Sequence, residues 1–464
     1  MPFLSAFLKR SLALLLLTTG LLLGCKADPT PGPPPPATSS TPPQYGTPFA
    51  GVPDRQDAAI YQVNMRAFSQ QGNFAGVTAR LDAIKALGVN VLYLMPIYPV
   101  GQVRSVNSPY AVRDYRAVNA EFGALADLRT LVDAAHARGL SVLLDWVPNH
   151  TAWDHAWITA HPDWYLRNAA GVIQSPPNTT FTDVAQLNFE SAPMRQELIA
   201  AMKSWVYTAN VDGFRCDYAD SPPNNFWLQA VDELRAIKTH KLLLLAEGTR
   251  PAHYTADFDY TFGFAFYDAL KRVYREGAPA SSLETLNNSE YGGAANGQHV
   301  VRYTTNHDVN GADGPPVALF GGDAGAMSAF VVASLFKGVP MVYNGQEAGM
   351  SQAIPFPFTS VKVRWDDKPA VTLAYQQLLT ARAGSAALRR GSPMSYSSAN
   401  VCAFTKTTGA EQALVVANVR GVATQYAVPA ALLGTVWTNA LRGGTVTLGS
   451  QVPLAAYEYL VLKK

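Results

Sequence analysis

Four short segments of the chain carry carboxylates and histidines, and each of them follows an apolar run. They span residues 145–150, 213–217, 246–248 and 305–308. Apolar runs of this kind predict buried strands, so we expect the four segments to meet at one mouth of a barrel. Carboxylic acids paired at such a mouth are suited to bond cleavage by acid and base.

Asp217 and Glu247 are the best candidates for such a pair. Cleavage of a glycosidic bond needs one acid to protonate the leaving oxygen and one carboxylate to face the oxocarbenium-like carbon. Each of the two residues closes a strongly apolar run, where an acid has no packing reason to stand. We therefore interpret both as catalytic carboxylates.

Arg215 lies two residues before Asp217, so on a strand both side chains point to the same face. A guanidinium next to a carboxylate lowers the pKa of that carboxylate and keeps it ionised, as a nucleophile requires. Glu247 has no cation next to it in the sequence, which suits a proton donor with a raised pKa. The alternative is that Arg215 and Asp217 form a buried ion pair that only holds barrel layers together.

His150, His307 and Asp308 add hydrogen-bonding groups and a third acid. A single histidine at a strand end is more often a structural residue than a ligand. Both histidines, however, follow predicted strands, the third and the seventh, and therefore reach the same rim. This shared location predicts contacts with sugar hydroxyls.

The elements that position these residues follow an alternating pattern from residue 57 onward. Apolar runs rich in β-formers alternate with amphipathic segments such as residues 125–138 and 192–209, which predicts a parallel sheet. Eight such units over about three hundred residues predict an α/β fold, a (β/α)8 TIM barrel whose chemistry lies on the loops after the strands. The predicted strands are residues 60–65, 89–95, 141–147, 213–217, 242–247, 258–260, 300–305 and 339–343.

Two further units accompany the predicted barrel, which spans residues 51–150 and 190–389. The connection after the third strand is much longer than an ordinary βα loop and rich in aromatic residues, so residues 151–189 are predicted to form a small inserted subdomain. Short alternating strands separated by Gly and Thr predict an antiparallel β-sandwich over residues 390–464.

The first 24 residues have the composition of an export signal. Lys9 and Arg10 precede an apolar stretch that ends in Leu-Leu-Gly before Cys25, which resembles a bacterial lipoprotein processing site. We therefore predict lipidation of Cys25, a Pro/Thr/Ser-rich tether over residues 25–50, and a lipid-anchored protein in the bacterial cell envelope. The alternative is an ordinary signal peptide with a coincidental cysteine.

Charge and cysteine content exclude other partners. The chain has 36 Lys and Arg against 34 Asp and Glu, so loss of Lys9 and Arg10 with the signal leaves equal numbers. This balance predicts no nucleic-acid partner and no electrostatic membrane patch. Cys216 and Cys402 are the cysteines that remain besides Cys25, and they are predicted to be free thiols.

Taken together, the four segments resemble the motifs of the α-amylase family of retaining glycoside hydrolases. The resemblance covers about residues 57–464, including Gly-Val-Pro-Met-Val-Tyr-Asn-Gly-Gln-Glu at 338–347. It implies that Asp217 is the nucleophile, Glu247 the general acid/base and Asp308 the stabiliser of the transition state. It also implies that Arg215 orients Asp217.

The resemblance extends to contacts with the substrate. It implies that Tyr110 is an aromatic platform under the sugar in the −1 subsite and that His150 and His307 hydrogen-bond the same sugar. Asp145 would support the site structurally. The alternative for Tyr110 is a packing residue in a loop.

A structural calcium ion is common in the family, although the chemistry requires no cofactor. The resemblance implies that Asn149 both supports the site and ligates this ion. Gln186 stands where the family has an aspartate, and Asp220 and Ser221 stand where it has a Lys-His pair. Loss of a carboxylate weakens a calcium site, and loss of the Lys-His pair removes contacts on the reducing-end side.

The resemblance leaves three functions open. The first is hydrolysis of α-1,4-glucosidic bonds in starch, maltodextrin or related α-glucans. The second is a transglycosylase or a trehalose- or sucrose-active relative, because the same covalent intermediate can pass to a sugar hydroxyl. The third is an inactive surface protein that binds glucans, and the intact acids Asp217, Glu247 and Asp308 argue against it.

Overall fold

Eight strands pair in parallel and close into a barrel, which confirms the (β/α)8 fold predicted from the sequence. The computed structural model describes residues 42–295 and 297–464. The predicted export signal, Cys25 and most of the predicted tether lie outside the described residues.

The strands overlap the predicted apolar runs, the sixth in Tyr260 alone, and the barrel order is β1-β10-β9-β8-β7-β6-β3-β2. The strands of the described residues are β1 Ile60–Val63, β2 Val91–Leu94, β3 Ser141–Trp146, β4 His150–Ala152, β5 Val184–Gln186, β6 Gly213–Cys216, β7 Leu243–Ala246, β8 Tyr260–Phe262, β9 His299–Arg302, β10 Val339–Tyr343, β11 Ser392–Ser395, β12 Val401–Thr408, β13 Glu411–Asn418, β14 Thr424–Ala427, β15 Val436–Asn439, β16 Thr445–Thr447, β17 Gln451–Leu454 and β18 Tyr459–Lys463.

Helices surround the barrel and fill the longer connections. Over the same described residues they are α1 Met65–Phe68, α2 Phe74–Thr78, α3 Leu81–Ala86, α4 Leu125–His136, α5 Trp157–Ala160, α6 Ala192–Ala209, α7 Asn224–Arg235, α8 Ala252–Thr255, α9 Phe264–Arg275, α10 Ser282–Glu290, α11 His307–Asp313, α12 Pro316–Leu319, α13 Gly322–Leu335, α14 Pro369–Ala383 and α15 Ala386–Arg390.

Barrel strands are buried along their whole length, as their continuous apolar sequences predict. Gly213 opens β6 with φ +146°, and a Cβ at this position would lie 1.9 Å from the carbonyl oxygen of Leu243. Glycine therefore permits the close approach of β6 and β7. The register of the two strands pairs Cys216 with Ala246, so the residues that follow them, Asp217 and Glu247, are neighbours.

The connection after β3 contains a short two-stranded sheet. Its strands β4 and β5 pair antiparallel, and the hydroxyls of Thr151 and Tyr165 are hydrogen-bonded at 2.9 Å. The rings of Trp157 and Trp164 pack edge to face at 4.9 Å. The same aromatic residues join the main hydrophobic core, since Trp157 also packs against Tyr115 at 5.6 Å, so this segment is packed onto the barrel.

The strands after the barrel form a six-stranded sheet, ordered β11-β12-β13-β18-β15-β16, and a two-stranded sheet of β14 and β17. All pairings within them are antiparallel, as predicted. Their shared core includes Leu414, Trp437 and Leu462. Phe404 packs against Phe336 of the barrel at 4.8 Å between ring centroids, which joins this layer to the barrel.

Over residues 42–295 and 297–464, none of the helices combines the length and the apolar character of a membrane span. Cys216 and Cys402 are buried free thiols, as expected. Burial raises the pKa of Cys402 to about 12, so its thiol stays protonated and inert at neutral pH.

Candidate active site

The barrel brings the predicted catalytic residues together at the carboxyl ends of its strands. Asp145 and Arg215 lie within β3 and β6, and Asp217 and Glu247 directly follow β6 and β7. Asp308 stands in the first turn of α11, in the connection that follows β9. The carboxyl end of a parallel barrel is the face on which active sites of this fold are built.

Arg215 is the centre of the cluster. Its Nη1 donates to Asp145 Oδ1 at 2.7 Å and to Asp217 Oδ1 at 2.8 Å, and its Nη2 donates to the carboxylate of Glu247. The guanidinium side chain is only 1% exposed. A single buried cation therefore fixes the positions of three carboxylates through charge-assisted hydrogen bonds.

This contact corrects two expectations about charge. Glu247 does have a cation beside it, because the adjacency of β6 and β7 brings Arg215 to it. The pKa of Asp217 is not lowered: burial raises it well above the ordinary value, Arg215 opposes the rise, and the charges of Glu247 and Asp145 add to it. Desolvation and like charges thus outweigh one guanidinium.

The second oxygen of the Glu247 carboxylate is held by backbone. Its Oε2 accepts a hydrogen bond from the Tyr218 N–H at 2.8 Å, and the Glu247 carbonyl accepts one from the Ala219 N–H at 2.9 Å. Tyr218 adopts φ +47°, an uncommon conformation for a bulky residue. The loop after β6 therefore turns sharply to bring its N–H groups onto Glu247.

Asp145 is fully buried and held by two phenols. Tyr93 donates to its Oδ2 at 2.6 Å and Tyr110 donates to the same oxygen at 3.1 Å. With Arg215 on the other oxygen, the carboxylate is engaged on both sides. These contacts agree with a supporting role for Asp145.

His307 is oriented by a chain of hydrogen bonds. The side-chain amide of Gln62 donates to its Nδ1 at 2.8 Å, so the ring proton is on Nε2, which lies 2.6 Å from the Tyr110 hydroxyl. The two rings also stack, with centroids 5.4 Å apart. Tyr110 and His307 consequently form one ordered surface beside the carboxylates.

The site histidines are neutral at pH 7. Burial lowers the pKa of His150 to about 4, and burial together with the charge of Arg215 lowers the pKa of His307 to about 4. A neutral imidazole donates one hydrogen bond and accepts another. Both residues are thus suited to contacts with sugar hydroxyls rather than to supplying charge.

The residues Tyr93 and Gln62 were not predicted from the sequence. Both lie within predicted strands, Tyr93 in β2 and Gln62 in β1. Each of them places a polar group inside an otherwise apolar run, and this was the available signal. A polar group that is buried in this way needs a hydrogen-bond partner.

Two exposed aromatic residues on the rim were also missed. Phe181 and Tyr218 are 43% and 39% exposed, and their rings meet edge to face at 6.2 Å. The Phe181 ring lies 6.4 Å from the His150 ring, so the pair extends from the predicted sugar site to the loop after the nucleophile. Tyr218 also lines a cleft of about 330 Å³ together with Phe189 and Pro176.

The environment of Asn149 does not fit a calcium ion. The Nε2 of Gln186 donates to the carbonyl oxygen of Asn149 at 2.9 Å, to its Oδ1 at 3.1 Å and to the Leu187 carbonyl at 3.0 Å. An amide nitrogen therefore occupies the position between three oxygens that a cation would need. Calcium requires six to eight oxygen ligands and favours carboxylates. The described residues contain no cluster of three His, Cys, Asp or Glu side chains that could hold a metal.

Comparison with known proteins gives consistent matches. A family model described as "Alpha amylase, catalytic domain" matches residues 54–418. An α-amylase of Haloarcula japonica is 27% identical over 406 residues, 82% of this chain and 58% of that protein. An α-1,4-glucan:maltose-1-phosphate maltosyltransferase of Mycolicibacterium smegmatis is 32% identical over 203 residues, 39% of this chain and 29% of that protein.

Solved structures match most of the chain. The crystal structure of an α-amylase from Lactobacillus plantarum superposes with a TM-score of 0.78 at 28% sequence identity, covering 88% of this chain and 99% of that chain. The chain spans less than two thirds of the length of the two relatives above, whereas it spans this structure almost completely.

Proposed function

Since the chain belongs to the α-amylase family, we propose that it hydrolyses α-1,4-glucosidic bonds in starch, maltodextrin or related α-glucans with retention of configuration. One buried guanidinium binds both proposed catalytic carboxylates, Asp217 and Glu247, and this contact carries the proposal. It holds the two acids close together, which favours the separation of about 5–5.5 Å typical of retaining enzymes.

The reaction proceeds by two displacements at the anomeric carbon. Asp217 attacks this carbon while Glu247 protonates the leaving glycosidic oxygen, and a covalent glycosyl-enzyme forms. Glu247, now a carboxylate, then takes a proton from water, and the water attacks the same carbon and releases Asp217. Asp308 stabilises the positive charge that develops in both transition states.

The first step requires the carboxylate cluster to hold a proton on Glu247 while Asp217 is ionised, a form of Asp217 that the charge of Arg215 favours. Asp145, Asp217 and Glu247 all contact Arg215, and Asp308 lies close enough to feel its charge, so negative charge is in excess around this cation. Like charges at such short range favour retention of a proton within the cluster. Sugar binding over Tyr110, His150 and His307 would exclude water and direct that proton to the leaving oxygen.

Transfer to a sugar acceptor is the second candidate, and the exposed aromatic pair favours it. Phe181 and Tyr218 stand next to the residue that would carry the covalent intermediate. Aromatic faces stack on the apolar C–H faces of sugars, so the pair would hold an acceptor glucose in place of water. The relative from Mycolicibacterium smegmatis carries the name of a maltosyltransferase. A trehalose- or sucrose-active enzyme would use the same carboxylates.

We further propose that the mature protein is lipid-anchored through Cys25 in the bacterial cell envelope. This proposal is supported by the sequence alone, in which Lys9 and Arg10 precede an apolar stretch and Gly24 lies directly before Cys25. A Pro-rich tether would then hold the enzyme away from the membrane surface.

One experiment tests the activity directly. The mature protein is incubated with starch, pullulan, cyclodextrin, trehalose and sucrose, and the anomeric form of the first products is followed by NMR. We expect α-anomeric maltooligosaccharides from starch. Asp217→Asn should abolish this turnover while glucan binding persists. Unchanged turnover in the variant would contradict the assigned nucleophile, and binding without turnover in the wild type would favour a glucan-binding protein.

A further inference from the structure

The loops after β6 and β7 are tied together by a polar cluster with no part in the proposed chemistry. The carboxylate of Asp220 accepts hydrogen bonds from the Thr249 N–H at 3.0 Å, from Arg250 Nε at 3.1 Å and from His253 Nε2 at 2.7 Å. We call these four residues the Asp220 clasp. It joins the loop that follows Asp217 to the loop that follows Glu247.

Arg250 strengthens the same connection. Its Nη2 donates to the carbonyl oxygens of Ala219 and Pro222, both at 3.0 Å. The guanidinium therefore satisfies the carboxylate of Asp220 and the backbone on either side of it. These five hydrogen bonds together hold the loop more firmly than a surface ion pair, which contributes little alone.

Two buried features show how closely the loops fit. His253 is 1% exposed, so its ring depends on Asp220 as an acceptor. A Cβ at Gly248 would lie 2.5 Å from Asp220 Oδ1 and 2.7 Å from His253 Nε2. Only glycine therefore fits between Glu247 and the clasp. Although burial opposes it, hydrogen bonds from His253 and Thr249 hold the pKa of Asp220 below its usual range.

The clasp begins two residues beyond Glu247, at Thr249, and three beyond Asp217, at Asp220. The N–H of Tyr218 donates to the Glu247 carboxylate and that of Ala219 to its carbonyl. Both donors belong to the loop that Asp220 fastens. A shift of this loop would therefore move the oxygen of Glu247 that Tyr218 holds.

We propose that the Asp220 clasp positions Glu247 for proton transfer, with Asp220 as a positioning residue that does not contact the sugar. The inference rests on the proposed role of Glu247 as general acid/base. A misplacement of about 1 Å costs up to about a hundredfold in rate, and general acid catalysis contributes about 10²–10⁴-fold. Release of the clasp should therefore lower the rates of those steps that need the proton.

The test compares two substrates that differ in their need for an acid. Maltopentaose has a poor leaving group that must be protonated, whereas α-maltosyl fluoride releases fluoride with little assistance. The value of kcat/KM reports the steps up to the glycosyl-enzyme in both cases. For Asp220→Asn we expect a loss of about 10–100-fold with maltopentaose and less than about threefold with the fluoride. Azide, which attacks without base assistance, should accelerate breakdown of the intermediate in this variant.

Two variants serve as controls. Asp82→Asn breaks an exposed ion pair with Arg138 by the same chemical change and should leave kcat/KM unchanged for both substrates. Arg250→Gln removes the guanidinium that binds Asp220, so it should also lower kcat/KM for maltopentaose far more than kcat/KM for the fluoride. This variant provides a second test if Asp220→Asn fails to fold. An equal loss on both substrates, or no loss, would overturn the proposal.

Glu247→Gln separates this inference from the proposed function. If the proposed function is right, Glu247→Gln loses much more kcat/KM with maltopentaose than with the fluoride, and this difference is larger than in the clasp variants. If Glu247→Gln shows the split and the clasp variants do not, the positioning role alone is wrong. If the wild type turns over neither substrate, the proposed function fails, and the clasp inference fails with it.

Discussion

Replacement of Gln186 by aspartate should convert a site held by an amide into one that depends on calcium. The Gln186 Nε2 lies 2.9–3.1 Å from three oxygens of Asn149 and Leu187, and all of these groups are buried. Aspartate is shorter by one methylene, so a cation could take the place of the amide nitrogen. Its ligands would then include a carboxylate, Asn149 Oδ1 and two carbonyl oxygens, a set of the kind calcium binds at about 2.3–2.6 Å.

The size of the effect follows from these contacts. Without calcium, Gln186→Asp loses the donated hydrogen bonds and leaves buried acceptors unsatisfied. Each net bond contributes about 0.5–1.5 kcal/mol and each orphaned buried group costs about 1–3 kcal/mol, so we expect a loss of about 2–4 kcal/mol. Calcium at about one hundred times its dissociation constant would restore about 2.7 kcal/mol.

The assay is the urea unfolding midpoint in excess chelator and in millimolar calcium. The wild type should unfold at the same urea concentration in both, whereas Gln186→Asp should be destabilised in chelator and recover in calcium. Gln186→Asn is the matched control, because it loses the same bonds without gaining a charge and should stay destabilised in both. This account of the site would be refuted if chelator lowered the urea midpoint of the wild type, or if calcium did not raise the midpoint of Gln186→Asp.

Three further predictions follow from the structure and the sequence. Tyr218→Ala should lower the share of maltosyl fluoride that is transferred to added maltose by about 2–10-fold, because stacking contributes about 0.5–1.5 kcal/mol. The transfer product is measured by chromatography, and an unchanged product ratio would exclude Tyr218 from acceptor binding. Burial lowers the pKa of His150 and of His307 to about 4, so each contributes stability above pH 6.5 that is lost as the pH falls through about 4, at about 1.4 kcal/mol per pH unit; urea midpoints that stay constant between pH 7 and 4 would contradict this. Cys25→Ser should release the protein from membranes in cell fractionation, and retention in the membrane pellet would contradict the lipid anchor.

The barrel strands were predictable because each is buried on both faces and therefore reads as a continuous apolar run. Their ends were less clear: the run at residues 89–95 contains β2, which covers only Val91–Leu94. Apolar character continues into the loops at the barrel rim, where side chains are buried without strand pairing. Sequence pattern alone does not distinguish the two.

Helix breaks were harder to predict than strands. The sequence of residues 370–388 predicts a single last helix of the barrel, but α14 ends at Ala383 and a new helix begins at Ala386. Ser385 caps the second helix, with its hydroxyl accepting from the Leu388 N–H at 3.1 Å. Gly384 followed by Ser385 was the available signal for one helix to stop and the next to start.

The charge balance of the site depended on contacts between strands. Asp217 and Arg215 could be paired from spacing alone, because alternate residues of a strand share a face. The contact between Arg215 and Glu247 required the knowledge that β6 and β7 are neighbours in the closed barrel. Burial of Asp217 required all the surrounding elements, and burial is what sets the direction of its pKa.

The two positions where this chain departs from the family resemblance support different properties. Gln186 anchors the inserted subdomain to the loop after β3 through hydrogen bonds to Asn149. Its loss should therefore lower the stability and leave the ratio of kcat/KM for maltopentaose to kcat/KM for maltosyl fluoride unchanged. Asp220 joins the loops that carry the carboxylates, so its loss should change that ratio even at a temperature where the variant is fully folded. The unfolding midpoint and the rate ratio, measured on both variants, therefore separate anchoring from positioning: if each variant alters both quantities in parallel, the two contacts belong to one structural unit and the distinction is wrong.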